Sequence, residues 1–81
     1  MQYEWDDAKA TLNPREHGVD FLDAIAAFED PNRREEIDMQ FEYGEERIQI
    51  IGMAHGQVLL VIVTLPGEDT CRIISARKAT R

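Results

Sequence analysis

The sequence has one cysteine, Cys71, so no internal disulfide can form and no zinc site can be built from cysteine alone. It has no long apolar run. The longest, Val58 to Val63, is six residues, against the roughly 20 a membrane-spanning helix needs. The first ten residues, MQYEWDDAKA, carry neither a cationic leader nor an apolar stretch. No signal peptide or membrane association is expected, and the chain reads as cytoplasmic. There is also no internal repeat and no low-complexity segment. What is there is 43% apolar and 31% charged over 81 residues, the composition of an ordinary globular domain and not of a disordered chain. The expectation is a single domain spanning 1–81 with one small core. A fold of this size buries only about 60–65% of the surface its unfolded chain exposes, so its stability is marginal and a partner can add to it.

Charge is unevenly spread. The protein is acidic, with 16 acidic and 9 basic residues. Residues 1–46 hold 14 acidic and 4 basic side chains, while residues 47–81 hold 2 acidic and 5 basic. The final ten, RIISARKATR, contain four cations (Arg72, Arg77, Lys78, Arg81) and no acid. Two surfaces with different partners would produce this split: an anion such as RNA phosphate on one, a basic protein on the other. A basic sheet edge neutralised by the protein's own acidic helices would produce it too.

Along the chain, "QYEW" alternates and reads as a short strand with Tyr3 and Trp5 on one side. Asp6 is a plausible N-cap for a helix with Ala8, Leu12 and Arg15 along one side, which Pro14 should kink or break and Gly18 should stop. Asp20 caps a clearer helix with Phe21, Ala24, Ile25 and Phe28 on one stripe, and Pro31 ends it. The polar stretch that follows, to about residue 46, reads mostly as an exposed connection with some strand. "RIQIIGM" places Ile48 and Ile50 on one face, "AHG" turns, and "QVLLVIVTL" is apolar on both faces, as a central strand would be. "PGED" signals a turn and "TCRIISA" a further strand. This order predicts an α+β domain, two N-terminal helices packed on a twisted antiparallel sheet.

The string YEWD at 3–6, Lys9, Asn13, HGV at 17–19 and Phe21, then Phe28, DP at 30–31, GEER at 44–47, IG at 51–52 and RIISARKAT at 72–80, resembles the BrnT toxin family in order and spacing over essentially the whole chain. That resemblance implies a RelE-like fold and a ribonuclease toxin of a type II toxin–antitoxin system, neutralised by a BrnA-like antitoxin. Family members usually carry a basic residue before the HG, where this sequence has Glu16.

Metal-independent RNA cleavage, which needs no cofactor, requires activation of the 2′-hydroxyl, neutralisation of the pentavalent phosphate and protonation of the leaving oxygen. Arginine suits the second task through its planar, permanently charged fork. The candidate phosphate group is Arg77 and Lys78 with Arg47. Strand alternation would set Arg72, five residues before Arg77, on the opposite face, so Arg72 and Arg81 are secondary RNA contacts. Salt bridges to the acidic helices are the structural alternative for each. His17, at a helix C-terminus whose dipole favours imidazolium, is the candidate acid or simply a capping residue. Glu46 is the candidate base, with Glu45 beside it. Trp5 and Tyr43 could stack on bases, or Trp5 could anchor the first strand in the core. Cys71 reads as a small buried hydrophobe. Three functions compete: a ribonuclease toxin, a catalytically weak interaction module of the same fold, and a subunit that homodimerises through an exposed strand edge.

Overall fold

The computed structural model describes residues 1–38 and 46–79. Along the chain run β1 (Gln2–Glu4), α1 (Asp7–His17), α2 (Phe21–Phe28), β2 (Arg34–Asp38), β3 (Arg47–Ala54), β4 (Gln57–Gly67) and β5 (Thr70–Lys78). The strands form one sheet in the order β1-β5-β4-β3-β2, with the doubly apolar β4 at its centre. β2 to β5 are antiparallel neighbours, as their short connections demand. β1 joins β5 in parallel. No short turn constrains β1, because both helices and three strands separate it from β5 in sequence. The α+β architecture is thus as expected, with a sheet that is mixed.

The core lies between the sheet and α2. Phe21, Ala24 and Phe28 are buried on the helix, as its apolar stripe predicts, while Ala27 is buried in addition and Ile25, also expected there, is only half-buried. They meet Ile50, Leu59, Val61, Val63, Ile73 and Ala76 from the strands. Contact is closest at Gly52, where any Cβ would collide with the carbonyl of Ala27. β1 is fastened to the same helix by aromatic edges: Tyr3 on Phe28 and Trp5 on Phe21, both at 5.9 Å between ring centroids. The Tyr3 hydroxyl also donates to Glu29 at 2.7 Å. Cys71 is fully buried, and burial pushes its thiol up to about 11, so it behaves as the small hydrophobe its position suggests.

The caps fall where the sequence places them. Asp6 accepts from the backbone of Ala8 and Lys9, Asp20 accepts from that of Leu22, and Gly18 closes α1 with φ 71°. The body of α1 differs from expectation. Leu12 is 47% exposed, and the buried residue is Asn13. The cause is where the helix lies: it meets the edge strand's backbone, not the apolar face of the sheet. β1 covers β5 only from Thr70 to Arg72. Further along, the Asn13 amide donates to the carbonyl oxygens of Ala76 and Val19, each at 2.7 Å, and its Oδ1 accepts from the Ala76 N–H at 3.3 Å. A side chain thus stands in for the missing strand. Pro14 neither breaks nor ends α1. It sits in the last turn, where it deletes one donor while its own carbonyl still accepts from Gly18 at 2.8 Å.

Two further boundaries move. Residues 34–38 form a full edge strand paired with β3 and blunted by Arg34, Glu35 and Glu36. β4 runs on through Pro66 and Gly67, leaving only Glu68 and Asp69 as the turn. A register shift between Thr64 and Gly67 accommodates the proline there, outside regular pairing.

Candidate nucleic-acid interface

Ladder partners share a face of a sheet, so the pairing fixes where each charge lies. Leu59, Val61 and Val63 point under α2, and their partners on β5 are Lys78, Ala76 and Ile73. Leu60, Ile62 and Thr64 point the other way, and their partners are Arg77, Ser75 and Arg72. Five residues separate Arg72 from Arg77, yet both lie on the open face. A β-bulge between Ile73 and Ser75 explains this: Ile74 is an extra residue that reverses the alternation. The expectation that Arg72 and Arg77 lie on opposite faces is corrected by that one residue. The same counting separates Arg77 from Lys78, which are adjacent in sequence and lie on opposite faces. On β3, Ile48 and Ile50 face the core side, so Arg47 belongs to the open face as well.

A cavity of about 580 Å3 opens at this end of the open face, lined by Glu4, Trp5, Asp6, Lys9, Arg47, Arg72 and Ile74. Three cations and two carboxylates therefore meet around one indole. The carboxylates are both engaged: Glu4, in register with Arg72 across the β1–β5 pair, lies 3.4 Å from its guanidinium, and Asp6 caps α1. Trp5 serves the core and the cavity together, one edge on Phe21 and the rest lining the opening. Arg72 and Thr64 are ladder partners, and the Thr64 hydroxyl is buried with no hydrogen-bond partner among the described residues.

A second cavity, of about 260 Å3, adjoins the first along α1 and is lined by Lys9, Leu12, Asn13, Glu16, His17, Ile74 and Ser75. Lys9 and Ile74 line both cavities, so the two form one groove between α1 and β5. His17 belongs to this second part, its Nε2 3.9 Å from Glu16. Of the expected phosphate group, the structure brings Arg47 together with Arg72. Arg77 and Lys78 are exposed near the end of β5 and line neither cavity. Glu46 is exposed just before β3 and also lies outside both. Tyr43, Glu45 and Arg81 lie outside the described residues. His55 sits in the β3–β4 turn with φ 51°, 3.3 Å from Asp23 and away from the groove. Glu4 is a site residue that sequence reasoning missed, although the alternation of "QYEW" already set it opposite Tyr3 and Trp5. Lys9 entered only as part of the family pattern.

The family model for the ribonuclease toxin BrnT of type II toxin–antitoxin systems matches residues 5–81. The chain belongs to the BrnT family. Its fold is also similar to the 1.1 Å crystal structure of the Brucella abortus ribonuclease toxin BrnT, with a TM-score of 0.73 and 26% identity over 100% of this chain and 99% of that one. No curated protein sequence matches it. In this BrnT-family chain the RIISARK part of that string, Arg72 to Lys78, lies in the bulged strand β5, and its irregularity is what gathers Arg72 and Arg77 on one face.

Proposed function

We propose that this BrnT-family chain is an endoribonuclease that cuts RNA in the Arg47–Arg72 cavity by attack of the 2′-hydroxyl on the adjoining phosphate, a route that needs no metal ion. The observation that carries this reading is the convergence of Arg47, Arg72 and Lys9 beside Trp5 on the sheet face that α2 leaves uncovered. Arg72 and Arg47 neutralise the pentavalent phosphate, Lys9 binds the neighbouring backbone charge, and Trp5 stacks on a base. An incoming phosphate competes with Glu4 for Arg72. Once displaced, the Glu4 carboxylate stands beside the scissile phosphate, free to take the 2′-hydroxyl proton. Glu46 is the second choice for this base. His17, at the α1 C-terminus, donates a proton to the leaving oxygen. Arg77, on the same face as Arg72, guides the strand beyond the cut, and Lys78 and Arg81 add to the positive charge of this end of the chain. The unit acts as one domain in the cytoplasm, and a BrnA-like antitoxin neutralises it by covering this basic surface.

One observation favours the alternative of a catalytically weak interaction module or homodimeric subunit: Glu4 already engages the Arg72 guanidinium that the phosphate would need. The test is induced expression in a bacterial host, scoring growth arrest and RNA decay, with cleavage then assayed in chelator. Growth arrest by the parent and its loss in Arg72→Ala are expected, with cleavage reduced about 10²–10³-fold and the melting temperature nearly unchanged. Cleavage by the variant at the parent's rate would remove Arg72 from the site, and a parent that cuts no RNA would support the weaker module.

A further inference from the structure

The groove does not end at the arginines, and its second part has different chemistry. Past Lys9 and Ile74 its walls are apolar, Leu12 from α1 and Ile74 from the bulge. Its polar groups are the Ser75 hydroxyl, the His17 ring and the Glu16 carboxylate, because the Asn13 amide is already committed to backbone groups. Lys9 is shared with the first cavity, and Glu16 would repel a phosphate placed here. A flat apolar ring with polar edges suits this space; a second phosphate does not.

We propose that this cavity is a nucleobase subsite, that it holds the base next to the phosphate bound by Arg47 and Arg72, and that Glu16 reads that base as guanine. The proposal rests on the reading of the first cavity as the RNA phosphate site. Its chemistry follows from what a carboxylate can do. Glu16 is acceptor-only, so it selects bases by the donors they present. Guanine offers two adjacent donors, N1–H and the N2 amino group, which match the two carboxylate oxygens. Adenine and cytosine offer one amino group each, beside a ring acceptor that the carboxylate repels. Uracil offers a single N–H between two carbonyl oxygens and is the worst fit. The Glu16 side chain is 60% exposed and its ionic contact among the described residues, to His17, is long at 3.9 Å, so it can turn to a ligand without loss to the fold. The acid that looks misplaced on a basic RNA path thereby becomes a determinant of sequence preference.

The test is binding of four RNA pentamers, oligouridylate with the central base varied as G, A, C or U, to the parent, Glu16→Gln, Glu16→Lys and Arg72→Ala. The parent should bind the G pentamer about tenfold more tightly than the U pentamer, with A and C between. Glu16→Gln carries a donor as well as an acceptor and should lose most of that ratio. Glu16→Lys should bind all four more tightly, with a steeper salt dependence and no order among them. Arg72→Ala should weaken all four alike and keep the ratio. Equal binding of the four by the parent, or a ratio that survives in Glu16→Gln, overturns the subsite. A ratio that depends on Glu16 in a protein whose affinity is indifferent to Arg72 overturns the phosphate site and keeps the subsite.

Discussion

The two faces of this sheet are built from the same strands and differ in almost everything else. Under α2 the residues are Ile50, Leu59, Val61, Val63, Ile73 and Ala76, all 0–1% exposed. On the other side Ile51, Leu60 and Ile62 are half-buried, and Arg47, Arg72 and Arg77 stand among them. A period of two would keep these populations apart by itself, but the bulge at Ile74 adds a correction. Before the bulge the even-numbered residues of β5 point to the open face, and after it the odd-numbered ones do. A single inserted residue thus keeps Ile73 and Ala76 in the core and Arg72 and Arg77 outside, over a strand whose simple alternation would mix them. Lys78 falls on the covered side but is exposed at the strand end. The lesson is a division of labour: substitutions on the covered face should act on stability, and those on the open face on RNA.

The largest expected effect tests the covered face. Gly52→Val should prevent stable folding, because its Cβ would overlap a backbone carbonyl of α2, which no rotamer change can relieve. Overpacking of flexible side chains already costs about 1–3 kcal/mol, and a domain of this size has only roughly 4–12 kcal/mol in total. Gly52→Ala, tested by urea denaturation, should show a lowered midpoint. A midpoint equal to the parent's would mean that α2 can lift from β3 at little cost, and the contrast between the faces would weaken.

Next in size is a residue on the seam between the faces. Asn13→Leu keeps the number and branching of side-chain heavy atoms and removes three hydrogen bonds, leaving the Ala76 N–H and carbonyl and the Val19 carbonyl without these partners. Each unsatisfied buried group costs about 1–3 kcal/mol, so the melting temperature should fall by many degrees. Because Ala76 sits between the bulge and Arg77, RNA binding should suffer as well, even at temperatures where the variant is folded. A variant that melts early yet binds RNA like the parent when folded would confine Asn13 to the covered side.

These cases also show what could be read from the sequence. The α2 stripe, both helix caps and the strands flanking "AHG" were legible because each follows a local rule of period or capping. Asn13 was not legible as a core residue. Its role depends on β1 stopping at Glu4 and leaving the β5 edge bare, so that Asn13 meets Ala76, 63 residues away in sequence. The pairing of Arg72 with Glu4 and Arg47 was hidden for a similar reason. Strict alternation argued against putting Arg72 and Arg77 together, and no local signal in "RIISAR" marks which residue is the bulge. The basic character of the final strand was visible at once; which of its cations meet, and where, needed the register.

The smallest expected effect concerns a second side chain that replaces a missing strand. β2 pairs with β3 only as far as Ile51, and beyond it the Met53 N–H donates to the Asp30 carboxylate at 2.8 Å. The same carboxylate accepts from the backbone of Asn32 at 2.9 Å. Asp30 thus does for β3 what Asn13 does for β5, but with a charge. These two donors hold its carboxyl below the ordinary value of 3.8. A depressed folded-state pKa means that the unfolded chain binds the proton more readily. The contribution of Asp30 to stability is therefore complete above its ordinary pKa and fades as pH falls through the lower folded value. Asp30→Ala should lower the melting temperature modestly at pH 7, and the gap from the parent should shrink in acid below about pH 4. RNA binding at pH 7 should be unaffected, since Asp30 holds Met53, six residues along β3 from Arg47, the β3 residue that lines the cavity. A gap that stays constant into acid would show that the hydrogen bonds to Asp30 do not favour its ionised form, and that α2 is held to β3 by apolar packing alone.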